Sequence, residues 1–308
     1  MARKYFGLGA RGDLVGQIQR ALAAAGHGPK DIDEIYGEDT LDAVVSYQGE
    51  KKLTITGVVD EATWNPLMRC PVPAVSERSL ALTAAFEGHG YTLARGNFDG
   101  AWLTWGIIGF TLKSGQIQQI VTKIQSTFPQ LIPLAFGRDA AKLIEIMHQP
   151  APQQKAWATS LTVSGGDLAE QWKTGFAKFG SLPEVQAEQR RHANDNYYKP
   201  SVNAARALGI STELGLALMF DVHVQNGGLS AASMQQIRED IEASHDATEA
   251  NIREIIADAV AGECIPKYRD DVRDRKMTIA SGKGTVHGRE YDLSNWGLAD
   301  LAASSVGA

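Results

Sequence analysis

Glu87, Asp99 and Thr104 are the residues of this chain whose types and spacing can do chemistry. Two carboxylates lie twelve residues apart, each between an aromatic and a glycine (Phe86-Glu87-Gly88 and Phe98-Asp99-Gly100), and a hydroxyl follows the second by five residues. Cleavage of a glycosidic bond needs an acid to protonate the leaving oxygen and a carboxylate to deprotonate a water, with a hydroxyl well suited to holding that water. With a water between sugar and base, the anomeric carbon is inverted and the two carboxyl groups stand more than about 6.5 Å apart.

The elements that must position these groups can be read around them. Residues 76–87 have the pattern of a helix capped by Ser76 and ended by Gly88. Glu87 then falls in the last turn, at the negative end of the helix dipole and beside Phe86 and Tyr91. Residues 91–98 and 102–105 read as two strands joined through the turn Asn97-Phe98-Asp99-Gly100, whose backbone N–H groups keep Asp99 ionised. Thr104, two strand positions after Trp102, shares its face. Singly, each feature is ordinary: a glutamate at a helix end is usually solvated, Asn-Phe-Asp-Gly is usually a turn, and Trp102, Trp105 and Phe110 are usually core. It is their joint order that points to catalysis.

The run Asp99-Gly100-x-x-x-Thr104-x-Gly106-Ile107-Ile108-Gly109-Phe110 resembles, position by position, the motif of the chitosanases of glycoside hydrolase family 46 and their lysozyme-superfamily relatives. The resemblance implies that Glu87 is the general acid, Asp99 the base and Thr104 the holder of the attacking water. It also implies a mainly α, two-lobed lysozyme-like domain with one small β-sheet. The sequence departs from the family in one place: the family's segment between the carboxylates is longer, and here it is only Gly88 to Phe98. A later run, Leu216 to Gly228, resembles the family's helix whose aspartate joins a charge network behind the active site. That makes Asp221 the candidate supporting carboxylate. An interior charge on an apolar helix needs a partner; Arg275 is the candidate, while Arg269 and Arg273 read as solvated. Candidate sugar contacts are Tyr91, Arg95, Trp102, His223 and Asn226, although His223 reads first as a hydrogen-bonded core histidine.

Upstream, three amphipathic segments follow one another: one over Val15, Ile18 and Leu22, stopped at Gly26-His27-Gly28-Pro29; a second from Asp39-Thr40; a short third near Trp64. Gly9-x-Arg11-Gly12, Ile18-Gln19-x-x-Leu22, Ile35-x-Gly37-x-x-Thr40-x-x-Ala43-Val44, Tyr47-Gln48 and Thr56-Gly57-Val58-Val59-Asp60 are similar to the three-helix peptidoglycan-binding domain of bacterial and phage wall hydrolases. Pro71-Val72-Pro73 has no amphipathic period and reads as a stiff connection. The expected division is a wall-binding domain over 1–69, a linker over 70–76 and a lysozyme-like hydrolase domain over 77–308. Further helices are expected to begin at 117–124 and to follow over 139–148, 168–179, 183–194, 202–208, 212–225, 231–261 and 266–280, with 282–288 as a surface hairpin.

Composition narrows the partners. The 308 residues are 44% hydrophobic, enough for a sizeable core, and carry a net charge of −6. Basic and acidic residues number 8 and 10 in 1–70 and 22 and 26 in the remainder, so neither part is a nucleic-acid binder. Cys70 and Cys264 make no disulfide framework, no Cys/His cluster has zinc spacing, and neither a metal nor a cofactor is expected. No apolar run can span a membrane, and the start lacks the apolar core of a signal peptide. A monomer is expected, synthesised in the cytoplasm and reaching the bacterial wall by release or delivery, as phage endolysins, prophage lysis proteins or secreted effectors do.

The polymer can be argued from charge. Chitosan is a polycation, whereas the segment between Glu87 and Asp99 contributes His89 and Arg95 and no acid. N-acetylated sugars bearing lactyl-peptide carboxylates suit such a lip better. The expectation is a muramidase acting on peptidoglycan glycan strands. Its alternatives are a chitosanase or chitinase with a wall-binding module, and an inactive wall-binding phage structural protein.

Overall fold

The computed structural model describes residues 3–88, 90–98, 100–244 and 248–303. His89 and Asp99, the latter the expected base, lie outside the described residues. The elements in chain order are β1 (Lys4–Phe6), α1 (Asp13–Ala24), α2 (Glu38–Glu50), β2 (Val59–Asp60), α3 (Glu61–Met68), α4 (Val75–Glu87), β3 (Ala94–Arg95), β4 (Thr104–Trp105), β5 (Phe110–Thr111), α5 (Gln116–Thr127), α6 (Leu131–Phe136), α7 (Ala140–Met147), α8 (Ala151–Leu161), α9 (Glu170–Gly180), α10 (Pro183–Ala193), α11 (Lys199–Ala207), α12 (Glu213–Asn226), α13 (Ala231–Ala243), α14 (Glu249–Glu263), α15 (Arg269–Ser281), β6 (Lys283–Val286) and β7 (Arg289–Asp292). The fold is mainly α with small antiparallel sheets. No helix among the described residues is long and apolar enough to cross a membrane.

The chain forms two compact units, one of residues 1–86 with 196–308 and one of residues 87–195. In the first, two buried glutamines stitch the N-terminal helices to their loops. Gln19 donates to Asp33, the Ile35 carbonyl and Thr40 and accepts from the Glu34 N–H. Gln48 accepts from the Thr56 and Gly57 N–H groups and donates to the Val58 carbonyl and Thr63. These are the glutamines singled out in the sequence, and their amides pair with the backbone of the loops they face. The short pairing of β1 with β2 was not expected; it brings the start of the chain beside α3.

Tyr5, Phe6 and Trp64 belong to the same buried cluster as Ala217, Tyr291 and Trp296. Glu213, at the start of α12, is buried between Arg78 of α4, at 2.8 Å, and Arg3, which also donates to the Gly297 carbonyl. Burial would raise the Glu213 carboxyl, but the hydrogen bonds and charges of Arg78 and Arg3 outweigh it and hold the group below its ordinary value.

A second buried charge sits deeper in this unit. Asp221 on α12 is fully buried and takes Arg275 at 2.6 Å and 2.9 Å, Lys276 at 2.6 Å and the Thr83 hydroxyl at 2.9 Å. Burial pushes this carboxyl up; Arg275 and Lys276 more than reverse that and hold it well below the usual carboxylate range.

Several expected elements differ in extent. The helix expected over 231–261 is two, because Thr248 caps α14 by accepting the Asn251 N–H, a start signal inside the apolar period. Helix α4 begins at Val75, one residue before the expected Ser76 cap, and Glu77 accepts the Ala74 N–H at 3.0 Å. Helices α6 and α8 were not foreseen, since Pro133 and Pro152 sit in their first turns, where proline is tolerated. The hairpin at 282–288 is present as β6 and β7, its turn made by His287 and Gly288, both with positive φ.

Two outcomes test these centres. Because the folded Asp221 carboxyl is depressed, its contribution is complete above the ordinary value of about 3.9 and is lost as pH falls through the folded value. Urea midpoints should hold from about pH 7 to 5 and decline below about pH 4. Asp221→Asn, which takes the carboxylate from between two buried cations, should cost roughly 3–5 kcal/mol at neutral pH and flatten that decline. A chain lacking residues 1–69 should melt at least about 10 °C lower than the whole protein, as a loss of several kcal/mol requires; an unchanged melting temperature would show the segment to be independent.

Candidate active site

The three-stranded sheet of the second unit is where the motif residues gather. Its register pairs Arg95 with Thr104 and Thr104 with Thr111, and Ala94 with Trp105 and Trp105 with Phe110. Side chains at paired positions share a face. Ala94, Trp105 and Phe110 are buried on one face; Trp105 stacks on Phe179 at 5.5 Å and donates its indole N–H to the Phe176 carbonyl at 3.1 Å. The opposite face carries Arg95, Thr104 and Thr111.

This sheet is held from one side by Gln189 of α10. Its amide accepts the Ile107 N–H at 3.0 Å and donates to the Tyr91 carbonyl at 3.2 Å. The approach explains Gly106 in the motif: φ is +90°, and a Cβ there would lie 2.4 Å from the Gln189 oxygen. Any larger residue would push the glutamine off the turn that follows Thr104.

Thr104 is 6% exposed, and its Oγ1 finds no hydrogen-bond partner among the described residues. A buried hydroxyl normally has one, so this position is suited to accept or donate to a small polar guest. Arg95, directly across the register, is about half exposed and lies 4.0 Å from Asp167. Asp167 is held below its ordinary value first by the hydrogen bond from Lys173, at 2.6 Å. The structure therefore brings together two residues singled out in the sequence, Arg95 and Thr104, on one sheet face.

Glu87 is the last residue of α4 and half-buried. The preceding turn of that helix is fixed in the first unit: Thr83 donates to Asp221, and the Phe86 ring lies beneath the Arg275 guanidinium at 5.1 Å and against Tyr291. Arg275 is on Asp221, where the sequence placed it, and Lys276 joins it. Lys276 was missed because Arg269-Asp270-Asp271-Val272-Arg273-Asp274-Arg275-Lys276 reads as solvated; the hint was Val272 and Ile279, which put 275 and 276 on either side of the buried stripe. Arg273 pairs with Asp258 on the exposed surface.

The remaining candidates fall as follows. Tyr91 is buried, its hydroxyl accepting from Arg190 at 3.0 Å and its ring under the same guanidinium, so it serves packing rather than presenting a face to sugar. Trp102 is not in a strand: its φ is +70°, its N–H donates to Asn97 Oδ1 at 3.1 Å, and β4 begins only at Thr104. The alternation expected over 102–105 does not apply there, and β3 is likewise shorter than 91–98. His223 bonds the Met219 carbonyl through Nδ1 at 2.8 Å, and burial lowers its basicity. Asn226 is exposed at the end of α12, its amide 3.8 Å from Cys264 Sγ. Both lie in the first unit. Among the described residues no group of three or more His, Cys, Asp or Glu converges as metal ligands.

Comparison with known proteins adds the following. Residues 11–67 match the model of a peptidoglycan-binding domain, and residues 83–255 match that of glycosyl hydrolase family 46. A search of curated proteins gives no match. Among solved structures, the chain is similar to a family 46 chitosanase of Gynuella sunshinyii in complex with chitotetraose (14% identity, TM-score 0.45, 69% of this chain and 88% of that one). It is similar to a native chitosanase of Bacillus subtilis MY002 (17%, 0.46, 71% and 95%). A Burkholderia AP3 phage endolysin is matched over 90% of this chain and 99% of its own, at 20% identity and a TM-score of 0.21. Since the family match spans more than half of the 308 residues, the chain belongs to glycosyl hydrolase family 46.

Proposed function

We propose that this glycoside hydrolase is a muramidase, cleaving the β-1,4 bond after N-acetylmuramic acid in peptidoglycan glycan strands. The observation that carries the reading is the joining, in one chain, of a peptidoglycan-binding match over 11–67 to the family 46 match over 83–255. A wall-binding segment that shares its core with the rest of its unit holds the enzyme on the polymer it is built to cut.

In this mechanism Glu87 protonates the leaving oxygen while Asp99 removes a proton from a water on the other side of the sugar, and the anomeric carbon inverts. Asp99 enters on its place in the motif alone. Thr104 holds the water; its buried hydroxyl, without a partner among the described residues, supports that role. Arg95, on the same face, supports the choice of polymer: its exposed cation repels the amines of chitosan and is compatible with lactyl-peptide carboxylates. Asp221, with Arg275 and Lys276, acts indirectly, fixing through Thr83 the helix that ends in Glu87.

A chitosanase remains as a second reading, favoured by the family match itself. Digestion of purified peptidoglycan and of chitosan, followed by mass spectrometry of the products, separates the two. Muropeptides with reducing N-acetylmuramic acid ends are expected; chitosan oligomers without muropeptides would establish the second reading, and no cleavage of either would mean a wall-binding protein without activity. Glu87→Gln should lower the rate roughly 10²–10⁴-fold, the range for a general acid, while wall binding persists. Thr104→Val should lower it roughly 10- to 100-fold, the equivalent of one lost hydrogen bond at the barrier.

A further inference from the structure

One aromatic residue of the second unit has its backbone fixed and its ring left out of the core. Phe98 is 59% exposed, whereas Trp105, Phe110, Phe176 and Phe179 are buried. Polar straps hold the chain beside it. Thr162, just after α8, accepts the Asn97 N–H at 2.9 Å through Oγ1 and donates the same hydroxyl to the Ala158 carbonyl at 2.9 Å. The Asn97 side chain accepts the Trp102 N–H at 3.1 Å, and the Gly96 N–H donates to the Gly166 carbonyl at 2.9 Å. The fit to Gly166 is close: a Cβ there would lie 2.4 Å from that of Phe98.

The loop against which Phe98 rests also brings charge. Asp167 follows Gly166; its carboxylate takes Lys173 at 2.6 Å and the Leu168 N–H at 3.0 Å, and Arg95 lies 4.0 Å away. That distance is too long for a hydrogen bond, so the half-exposed guanidinium keeps donors for a guest. Arg95 pairs with Thr104 across the sheet. The ring, the carboxylate and the guanidinium therefore adjoin the face that carries Thr104. A single exposed apolar side chain needs no explanation by itself. A ring on a fixed backbone beside charged groups has instead the composition of a sugar contact, an apolar face for the C–H side of a pyranose and a few polar groups for its substituents. A backbone set in advance leaves less freedom to lose when the sugar binds.

We propose that Phe98 is a substrate-binding residue: its ring stacks on one pyranose of the glycan, while Arg95 donates to the substituents of that sugar. The inference rests on the reading of the Arg95–Thr104 face as the side that meets sugar. An N-acetylated sugar offers the ring a C–H face and the guanidinium a carbonyl or carboxylate oxygen, whereas the ammonium of glucosamine only repels the guanidinium. The stack forms alike before and at the barrier, so it acts on KM and leaves kcat in place.

The test uses the full chain with soluble peptidoglycan glycan strands and with chitosan oligomers. Phe98→Ala should raise KM on the polymer cleaved roughly 10- to 30-fold, as truncation of an aromatic anchor does, with kcat within about threefold. Its melting temperature should stay within about 2 °C, as befits an exposed side chain. Phe98→Tyr should restore KM, and Phe98→Leu, apolar without a flat face, should not. An unchanged KM, full rescue by leucine, or a fall in kcat alone overturns the proposal. Phe98→Trp gives a readout that needs no turnover: its added emission should shift to the blue as the glycan strands are titrated in, and an unmoved emission overturns the proposal whether or not the polymer is cut. If Glu87→Gln is inactive while Phe98→Ala keeps its KM, the stack alone is wrong. If neither polymer is cleaved yet the emission shifts, the hydrolase reading fails and the stack stands.

Discussion

Asp221 is the constraint on which the first unit is built. A carboxylate with no exposure to water is admissible only if it is fully paired, and here it is met by two cations and a hydroxyl. The partners come from α15 and α4, so one side chain fixes three helices relative to each other. Among them is the helix whose last residue is Glu87. In the mechanism proposed above Glu87 is the acid, and a helix end free to fray would place it poorly. The Thr83 bond and the Phe86 ring beneath Arg275 remove that freedom.

The second unit solves a related problem by different means. Its sheet has strands of two residues, too short to hold themselves. One face is anchored by the Trp105, Phe176 and Phe179 rings, the flank by Gln189, and the turn before β4 by Thr162 and Asn97. Backbone amides paired to side chains replace the ladder bonds that longer strands would have given. Glycines at 96, 106 and 166 are the places where that pairing brings chain against chain.

Much of this was legible. The motif from Asp99 to Phe110 could be read through its resemblance to family 46, and the structure shows the need that one of its glycines answers, Gly106 beneath Gln189. Asp221 could be read through the resemblance of the 216–228 run to the family's helix, and Arg275 because an acid inside an apolar helix has to find a cation. What could not be read rests on distant partners. Pro71-Val72-Pro73 reads as a stiff connection, and nothing local to it announces that Arg3 and Arg78 meet Glu213 across 210 and 135 residues. Lys276 hides in a run of alternating charge, Trp102 takes a left-handed backbone that residue type does not announce, and Thr162 lies 65 residues from the amide it holds.

In the mechanism proposed above a water, not a protein carboxylate, attacks the sugar, activated by Asp99 and held by the buried hydroxyl of Thr104. The anomeric configuration of the first product, followed by proton NMR during digestion of glycan strands before mutarotation, tests it most directly. The α-anomer, inverted from the β-linkage, is expected. A β-anomer formed first would contradict it, since retention requires a covalent or substrate-assisted intermediate in place of that water.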